Sequence, residues 1–232
     1  MILTGIDDTD NATSSGTGRL ARALANRLRA RYPVHGVTRH QLLVDPRIPY
    51  TKRNSCNVVH LDADAADLPA LAAAAAAFVA EGSFEGSDPG VCVADADLLL
   101  DSNFGRAAQT SVVTKADALQ AAADLGCILT EHGGTGGGVI GALAGVVLAA
   151  GGEDGRYVEV GRVRELTGVL RVEELLAAGV AEVRCVEGFT VDAGEVLCAR
   201  GVRPDRRRHR PVLFVERRGT QFVALRNREA GT

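Results

Sequence analysis

The sequence predicts a mixed α/β protein, with α+β character in its second part, and two observations support this. Through about the first 165 residues, strand-like apolar runs alternate with segments of helical spacing. Beyond that point strand-like runs dominate, with one short helix among them. We therefore predict two domains, residues 1–165 and 166–232, and leave open an interleaving of the two.

The individual elements follow from local patterns. Leu20, Leu24 and Leu28 share one face of a helix predicted over Arg19–Arg31, which ends at the Tyr32-Pro33 step. Strands are predicted over Ile2–Ile6, Val37–Val44, Cys56–Leu61, Val91–Ala94, Cys127–Leu129, Tyr157–Val160, Val183–Val186, Glu195–Ala199, Pro211–Arg217 and Gln221–Leu225. Further helices are predicted over Leu68–Ala80, Thr114–Leu125, Val139–Ala149 and Val172–Ala178.

Composition narrows the class of protein. Hydrophobic residues make up 46% of the chain and charged residues 24%, and the net charge of −3 gives no global attraction for nucleic acid or an anionic membrane. Five cysteines occur without a C-x-x-C pair, which predicts buried thiols and a reducing, cytoplasmic compartment.

The N-terminus lacks the pattern of a signal peptide, and the longest apolar stretch, Val139–Ala150, is shorter than a bilayer span. We expect no membrane partner.

Three carboxylates follow the first predicted strand, at Asp7, Asp8 and Asp10. Like charges this close raise one another's pKa, so the cluster favours a bound cation. Mg²⁺ typically takes one or two carboxylates together with substrate phosphates. The spacing therefore predicts a Mg²⁺–nucleotide site, while an acidic, Asn-containing turn that caps a helix fits the same residues.

Gly16, Thr17 and Gly18 lie where the next helix begins. Free backbone amides and the positive end of the helix dipole favour phosphate at such a position. Thr17 is a candidate phosphate contact, metal contact or phosphoryl acceptor, and a helix-capping hydroxyl is the alternative.

A second glycine-rich loop precedes the apolar helix predicted from Val139. It has neither the Gly-Lys-[Ser/Thr] ending of a Walker A loop nor the acidic residue of a dinucleotide fingerprint. Adjacent amides before a helix form an anion-binding nest, and close helix packing is the alternative. The candidate phosphate-binding residues are Gly133, Gly134, Thr135, Gly136, Gly137 and Gly138.

Two basic segments are further candidates. Lys52, Arg53 and Asn54 precede a predicted strand, where they form either a phosphate clamp or a solvated loop. The run Arg206–Arg210 is either solvated or a site for RNA phosphates or a carboxylate ligand. With no Trp and three Tyr in the chain, a base-stacking surface is not indicated.

Four segments, in order, resemble the archaeal tRNA-isoleucine agmatidine synthetase family. They are GIDDTDNATSSGTG (5–18), RIPYTKRNSCNVV (47–59), GGTGGGVIGALAGVVLAAG (133–151) and RRHRPVLFVERRG (207–219). The resemblance implies that residues 1–165 form a kinase-like nucleotide-binding domain and residues 166–232 a ferredoxin-like domain, with ATP and Mg²⁺ as cofactors. It also places Thr17 where the family has a phosphorylated threonine.

The chain departs from the family in ways that bear on its substrate. Gly16 and Gly18 replace a Cys and a Thr around Thr17, and Arg19 replaces a Tyr. The sequence has no counterpart of the family's OB-fold and zinc-ribbon regions. We therefore predict an ATP- and Mg²⁺-dependent phosphoryl-transfer or amine-ligating enzyme that acts on a small molecule or nucleoside, with specific tRNA binding doubtful. A non-catalytic nucleotide-sensing or RNA-associated module is the alternative.

Overall fold

A computed structural model describes residues 1–14, 16–51 and 53–225. The chain forms two compact units, Met1–Gly151 and Gly152–Thr232. The division falls at the end of the long apolar helix, ahead of the boundary at 165 that the sequence pattern predicts. The strand predicted around Tyr157 therefore belongs to the second unit, because its hydrogen-bonded partner is a later strand of that unit.

The first unit contains five strands and five α-helices within its described residues. They are β1 (Ile2–Asp7), α1 (Thr17–Leu28), β2 (Val34–Gln41), β3 (Ser55–Leu61), α2 (Leu68–Gly82), β4 (Gly90–Asp95), α3 (Phe104–Thr110), α4 (Lys115–Asp124), β5 (Ile128–Glu131) and α5 (Gly138–Gly151). Of these, only α3 lies outside the elements that the sequence predicts.

The strands form one antiparallel sheet in the order β5-β4-β1-β3-β2. Residues 2–95 follow the β-α-β-β-α-β order of a ferredoxin-like motif, with β1 in the centre of the sheet. The ferredoxin-like arrangement thus occurs in the first unit, whereas the sequence analysis placed it after residue 165. The mixed α/β class is confirmed.

Helices cover both faces of this sheet. Leu3 and Gly5 point towards α5, which packs across β1, β3 and β4 together with α3 and α4. Ile2, Thr4 and Ile6 alternate to the other face, where α1 and α2 pack. The end of β1, and with it the acidic segment, therefore lies between two layers of helices.

Glycines allow α5 to approach the sheet closely. A Cβ on Gly5 would lie 2.4 Å from the carbonyl oxygen of Ala142, and a Cβ on Gly90 would lie 2.2 Å from the carbonyl carbon of Gly138. The atoms in the way are backbone atoms, which cannot move aside. Part of the glycine pattern around Gly138 therefore serves helix packing, the alternative that the sequence analysis left open.

We expect Gly90→Ala to destabilise the protein by about 1–3 kcal/mol, the range for overpacking a tight core site. Urea denaturation measures this. Gly151→Ala is the matched control, because a Cβ at Gly151 meets nothing within 4 Å. Equal stability of the two variants would contradict the close approach of α5 to β4.

Helix α2 and the turn before it, Ala65–Gly82, are long and apolar enough to cross a membrane by length and composition alone. One such helix is weak evidence for a span. Leu71, Ala75 and Val79 of α2 are buried within the first unit. The absence of a membrane partner stays a prediction.

The second unit is mostly β-structure. Its elements are β6 (Arg156–Glu159), β7 (Gly168–Arg171), α6 (Val172–Ala177), β8 (Glu182–Cys185), β9 (Glu195–Cys198), β10 (Asp205–Arg207), β11 (Arg210–Arg218) and β12 (Gln221–Ala224). Within this unit the sheet runs β6-β10-β11-β12-β9-β7, and β8 pairs in parallel with β11. The sequence pattern misses β7 and β10. The core of the unit includes Leu175, Val183 and Leu213.

All five cysteines are free thiols, as predicted. Cys56, Cys92, Cys185 and Cys198 are buried, and Cys127 is partly exposed.

Candidate functional site

The acidic segment begins where β1 ends between its two neighbouring strands. Asp7 is the last residue of β1 and lies opposite Gly90 of β4. Asp8 then takes a left-handed backbone conformation, with φ of 51°. Aspartate tolerates this conformation better than most residues, and strained backbone of this kind is concentrated at functional sites.

Asp7 is half-buried against the start of α5. A Cβ on Gly141 would lie 1.8 Å from its Oδ2 atom, so a glycine at that position leaves room for the carboxylate. Burial, followed by the neighbouring charge of Asp8, raises the pKa of Asp7 to about 7, and Arg39 opposes the shift. Near neutral pH this carboxyl group is therefore poised between its charged and neutral forms.

Asp8 has a second acidic neighbour that the sequence analysis missed. Burial first, and then the charge of Asp88, raises the pKa of Asp8 to about 6. Asp88 lies two residues before β4, and antiparallel pairing brings the start of β4 to the end of β1. The available signal was the Asp-Pro-Gly sequence at 88–90, which stands directly before the predicted strand Val91–Ala94.

Thr17 is the first residue of α1, buried, with its hydroxyl directed at the acidic loop. Its Oγ1 atom donates a hydrogen bond to Asp10 Oδ1 at 3.0 Å and accepts from the amide of Thr9 at 3.3 Å. The N-cap of α1 is Gly16, with φ of 85° and no side-chain cap. Thr17 therefore joins the acidic loop to the helix and does not cap α1.

The three predicted metal ligands face different neighbours. Asp7 contacts α5, Asp8 lies near Asp88, and Asp10 accepts from Thr17. Among the residues that the structure describes, no three His, Cys, Asp or Glu side chains form a metal-binding group. The assignment of Asp7, Asp8 and Asp10 as metal ligands stays a prediction, and this arrangement suits a cation that takes one or two carboxylates with the rest of its oxygens from a ligand.

The glycine-rich loop lies beside this acidic segment and is hydrogen-bonded to Asp88. The Oδ1 atom of Asp88 accepts from the amide of Thr135 at 2.9 Å, and its Oδ2 atom accepts from the Thr135 hydroxyl. The carbonyl oxygen of Asp88 accepts from the amide of Gly138 at 3.0 Å. A Cβ on Gly138 would also lie 3.1 Å from the carbonyl oxygen of Asp7, so two motifs more than a hundred residues apart in sequence lie side by side.

The backbone of the loop requires glycine at two positions. Gly134 has φ of 57° and Gly136 has φ of 74°, and a Cβ on either would collide with a side chain. Among described residues, the amides of Gly133, Gly134 and Gly137 donate no hydrogen bond to protein atoms. They remain available to an anion.

Only part of the predicted basic clamp lies beside the acidic segment. Thr51 donates to the carbonyl oxygen of Asp10 at 3.4 Å, which places this loop beside the acidic segment, and Arg53 is exposed. Asn54 instead donates to the carbonyl oxygen of Leu43 at 2.7 Å and so stabilises the β2–β3 connection. Lys52 lies outside the described residues.

We expect Gly136→Val to weaken Mg–ATP binding at least tenfold, about 1.4 kcal/mol. A side chain at 136 would meet the Lys115–Glu131 ion pair and force the loop out of its conformation. Calorimetry on the folded protein measures the affinity, and thermal denaturation measures the stability.

Gly126→Val is the matched control for Gly136→Val. Gly126 has φ of 66° with nothing near its Cβ position, so the control carries the backbone cost alone. If Gly136→Val lowered only the melting temperature and left affinity unchanged, the loop would serve packing and not phosphate binding.

The fold and the site together define a class: a mixed α/β protein with an acidic segment and a glycine-rich loop side by side at the ends of the central strands of its sheet. No protein-family model and no curated protein matches the sequence. Solved structures do match. The TiaS–tRNA(Ile2)–ATP complex is 28% identical, with a TM-score of 0.56, over 63% of this chain and 36% of that one.

Two further structures give similar values. A tRNA fluorescent labeling enzyme is 28% identical, with a TM-score of 0.56, over 63% of this chain and 35% of that one. A TiaS–tRNA(Ile2)–AMPCPP–agmatine complex is 27% identical, with a TM-score of 0.55, over 62% of this chain and 35% of that one. This chain therefore spans about a third of the length of the structures that it matches.

These comparisons confirm the resemblance to tRNA(Ile2) agmatidine synthetase. They support a related, ATP-using function. They give no support to the expectation that specific tRNA binding is doubtful, since two of the similar structures hold tRNA(Ile2).

Proposed function

We propose that this protein is an ATP- and Mg²⁺-dependent enzyme that activates an acceptor by phosphoryl transfer or ligates an amine to it. One observation carries the proposal: the glycine-rich loop and the start of α5 lie beside the acidic segment, since a Cβ on Gly138 would be 3.1 Å from the carbonyl oxygen of Asp7, and Asp88 binds Thr135 of that loop. A site of this kind offers carboxylates for a cation beside amides for phosphates, which is the combination that a Mg–nucleotide needs.

The donor chemistry fits Mg²⁺. Asp7, Asp8 and Asp10 are oxygen donors. Burial, and then the charges of Asp8 and Asp10, raise the pKa of Asp7, and a bound cation would relieve this repulsion. Asp8 and Asp10, with Asp7 behind them, would hold the ion, and the ion would neutralise phosphate charge during transfer. The similarity to ATP-bound and AMPCPP-bound TiaS supports the nucleotide part of this proposal.

Other residues of the chain position the phosphates and the reacting groups. The free amides of Gly133, Gly134 and Gly137 would bind phosphate oxygens. Thr17, oriented by its hydrogen bond to Asp10, lies at the positive end of α1, where its hydroxyl would contact a phosphate or accept a phosphoryl group. Arg53 is an exposed cation on the adjoining loop and would supply further positive charge.

The test is to incubate the protein with ATP, Mg²⁺ and one acceptor at a time. Agmatine, free nucleosides and tRNA transcripts form the panel, and AMP and ADP are quantified. AMP formation indicates attack at the α- or β-phosphate of ATP, and ADP formation indicates transfer of the γ-phosphoryl group. Free phosphate together with an amine-bearing product then indicates ligation, whereas a phosphorylated product indicates a kinase. Binding of Mg–ATP without turnover on any acceptor would favour the non-catalytic nucleotide sensor instead.

A further inference from the structure

The second unit contains a cavity of about 380 Å³ that shares no lining residue with the candidate nucleotide site and is lined in part by the basic run Arg206–Arg210. This volume lies within the range of small-molecule sites in proteins. Its apolar wall includes Val212 and Phe214 of β11. Its charged side chains are four arginines and two glutamates: Arg184, Arg207, Arg208, Arg210, Glu153 and Glu182.

The charges leave the cavity two units positive. Glu182 is neutralised locally, because its Oε1 atom accepts from Arg184 Nε at 2.6 Å. The Oε1 atom of Glu153 accepts a hydrogen bond from the backbone amide of Arg208 at 3.0 Å. The guanidinium of Arg207 lies over the Phe214 ring, 5.8 Å from its centroid, and its Nη2 atom is 3.5 Å from Oδ2 of Asp205. Arg156 pairs with the same carboxylate, with its Nε atom 3.3 Å from Oδ1, so Asp205 is balanced by a second arginine and the local excess of positive charge remains.

The turn that presents these arginines is strained. Arg208 and His209 connect β10 to β11 with φ of 49° and 61°. Two-residue hairpin turns of this kind strongly prefer Asn-Gly or Gly-Gly, because other side chains are penalised at positive φ. Non-glycine residues persist in such conformations when their surroundings hold them there, and they are concentrated at ligand sites.

Several hydrogen bonds hold the turn. The amide of His209 donates to the carbonyl oxygen of Gly152 at 3.0 Å, and the hydroxyl of Tyr157 donates to the carbonyl oxygen of His209 at 3.2 Å. Gly152 is required there, since a Cβ would lie 2.5 Å from the His209 ring. The turn is therefore held rigidly. Packing does not explain why its first residue, Arg208, is an arginine.

We propose that this arginine-lined cavity binds a phosphate monoester. A monoester carries a charge of about −1.5 to −2 near neutral pH, which matches the excess of two positive charges. Arginine binds phosphate oxygens in paired hydrogen bonds, and the cavity has room for the group attached to the phosphate. A phosphodiester carries one charge and fits less well.

The experiment uses the full chain and follows the arginine Nε–H resonances by NMR during titration with methyl phosphate and, separately, dimethyl phosphate. We expect saturable shifts with methyl phosphate and at least tenfold weaker binding of dimethyl phosphate. Arg208→Gln should weaken methyl phosphate binding at least tenfold. Arg171→Gln is the matched control, since Arg171 is exposed and lies outside the cavity.

A second variant separates binding from stability. Arg208→Gly removes the charge and also relieves the backbone strain, so it should raise the melting temperature while it weakens methyl phosphate binding. No saturable binding, equal loss in Arg171→Gln, or full affinity in Arg208→Gly would each overturn the proposal.

The source of the monoester is tested with a short RNA, with and without a 5′-phosphate. Tighter binding of the phosphorylated RNA identifies a nucleic-acid end, and binding of methyl phosphate alone identifies a small molecule. Both outcomes support the site, whereas RNA binding that ignores the 5′-phosphate, with no methyl phosphate binding, contradicts it. The site is independent of the proposed ATP chemistry, which the Asp8→Asn variant tests.

Discussion

Asp8→Asn is expected to weaken Mg–ATP binding at least a hundredfold, about 2.8 kcal/mol, and to abolish any ATP turnover. The substitution removes the carboxylate charge that would face the cation, while the neighbouring Asp88 continues to hold the glycine-rich loop. Asparagine accepts the left-handed backbone conformation at this position as readily as aspartate does. The fold should therefore survive, and calorimetry with Mg–ATP and with ATP in EDTA measures the loss.

Asp101→Asn is the control for Asp8→Asn, because Asp101 is an exposed aspartate of the same unit outside the acidic segment. It should bind Mg–ATP as the parent protein does. Parent-like affinity of Asp8→Asn would show that the acidic segment does not hold the cation, and the proposed function would then lose its metal site.

The long elements of the fold could be predicted because their patterns are local. Leu20, Leu24 and Leu28 fall on one face of α1, and the apolar sequence of α5 predicts a buried helix. The elements missed are short: α3 has seven residues, β7 four and β10 three. Strand β10 forms because β11 supplies its hydrogen-bond partners, and a three-residue window carries no signal of that.

The candidate site was predictable in its motifs but not in their contacts. The sequence alone identifies Asp7, Asp8 and Asp10, because like charges in a short span repel one another and favour a bound cation. It does not identify Asp88, since the role of Asp88 depends on the pairing of β4 with β1 and on the hydrogen bonds to Thr135. The roles of the individual glycines in this segment also depend on tertiary structure. Gly138 makes room for the backbone at the start of β4 and Gly141 makes room for Asp7, whereas Gly134 and Gly136 set the loop conformation.

Asp7→Asn is expected to stabilise the metal-free protein by up to about 4 kcal/mol at pH 8, and to have little effect below about pH 4. Burial raises the pKa of Asp7 to about 7 in the folded protein, from 3.8 in the unfolded chain. Between these values the folded state holds a proton that the unfolded state has lost, so the stability of the parent protein falls as the pH rises. Asparagine stays neutral, and the variant should lack this decline.

Urea denaturation in EDTA at several pH values between 4 and 8 measures the difference between Asp7→Asn and the parent protein. The gain should grow from pH 4 to about pH 7 and then level off, and Asp101→Asn should show no such gain. Mg–ATP should stabilise the parent protein more than the variant, because a cation beside Asp7 offsets the cost of the buried charge. A gain independent of pH would mean that packing against α5, and not the ionisation of Asp7, sets the stability of the acidic segment.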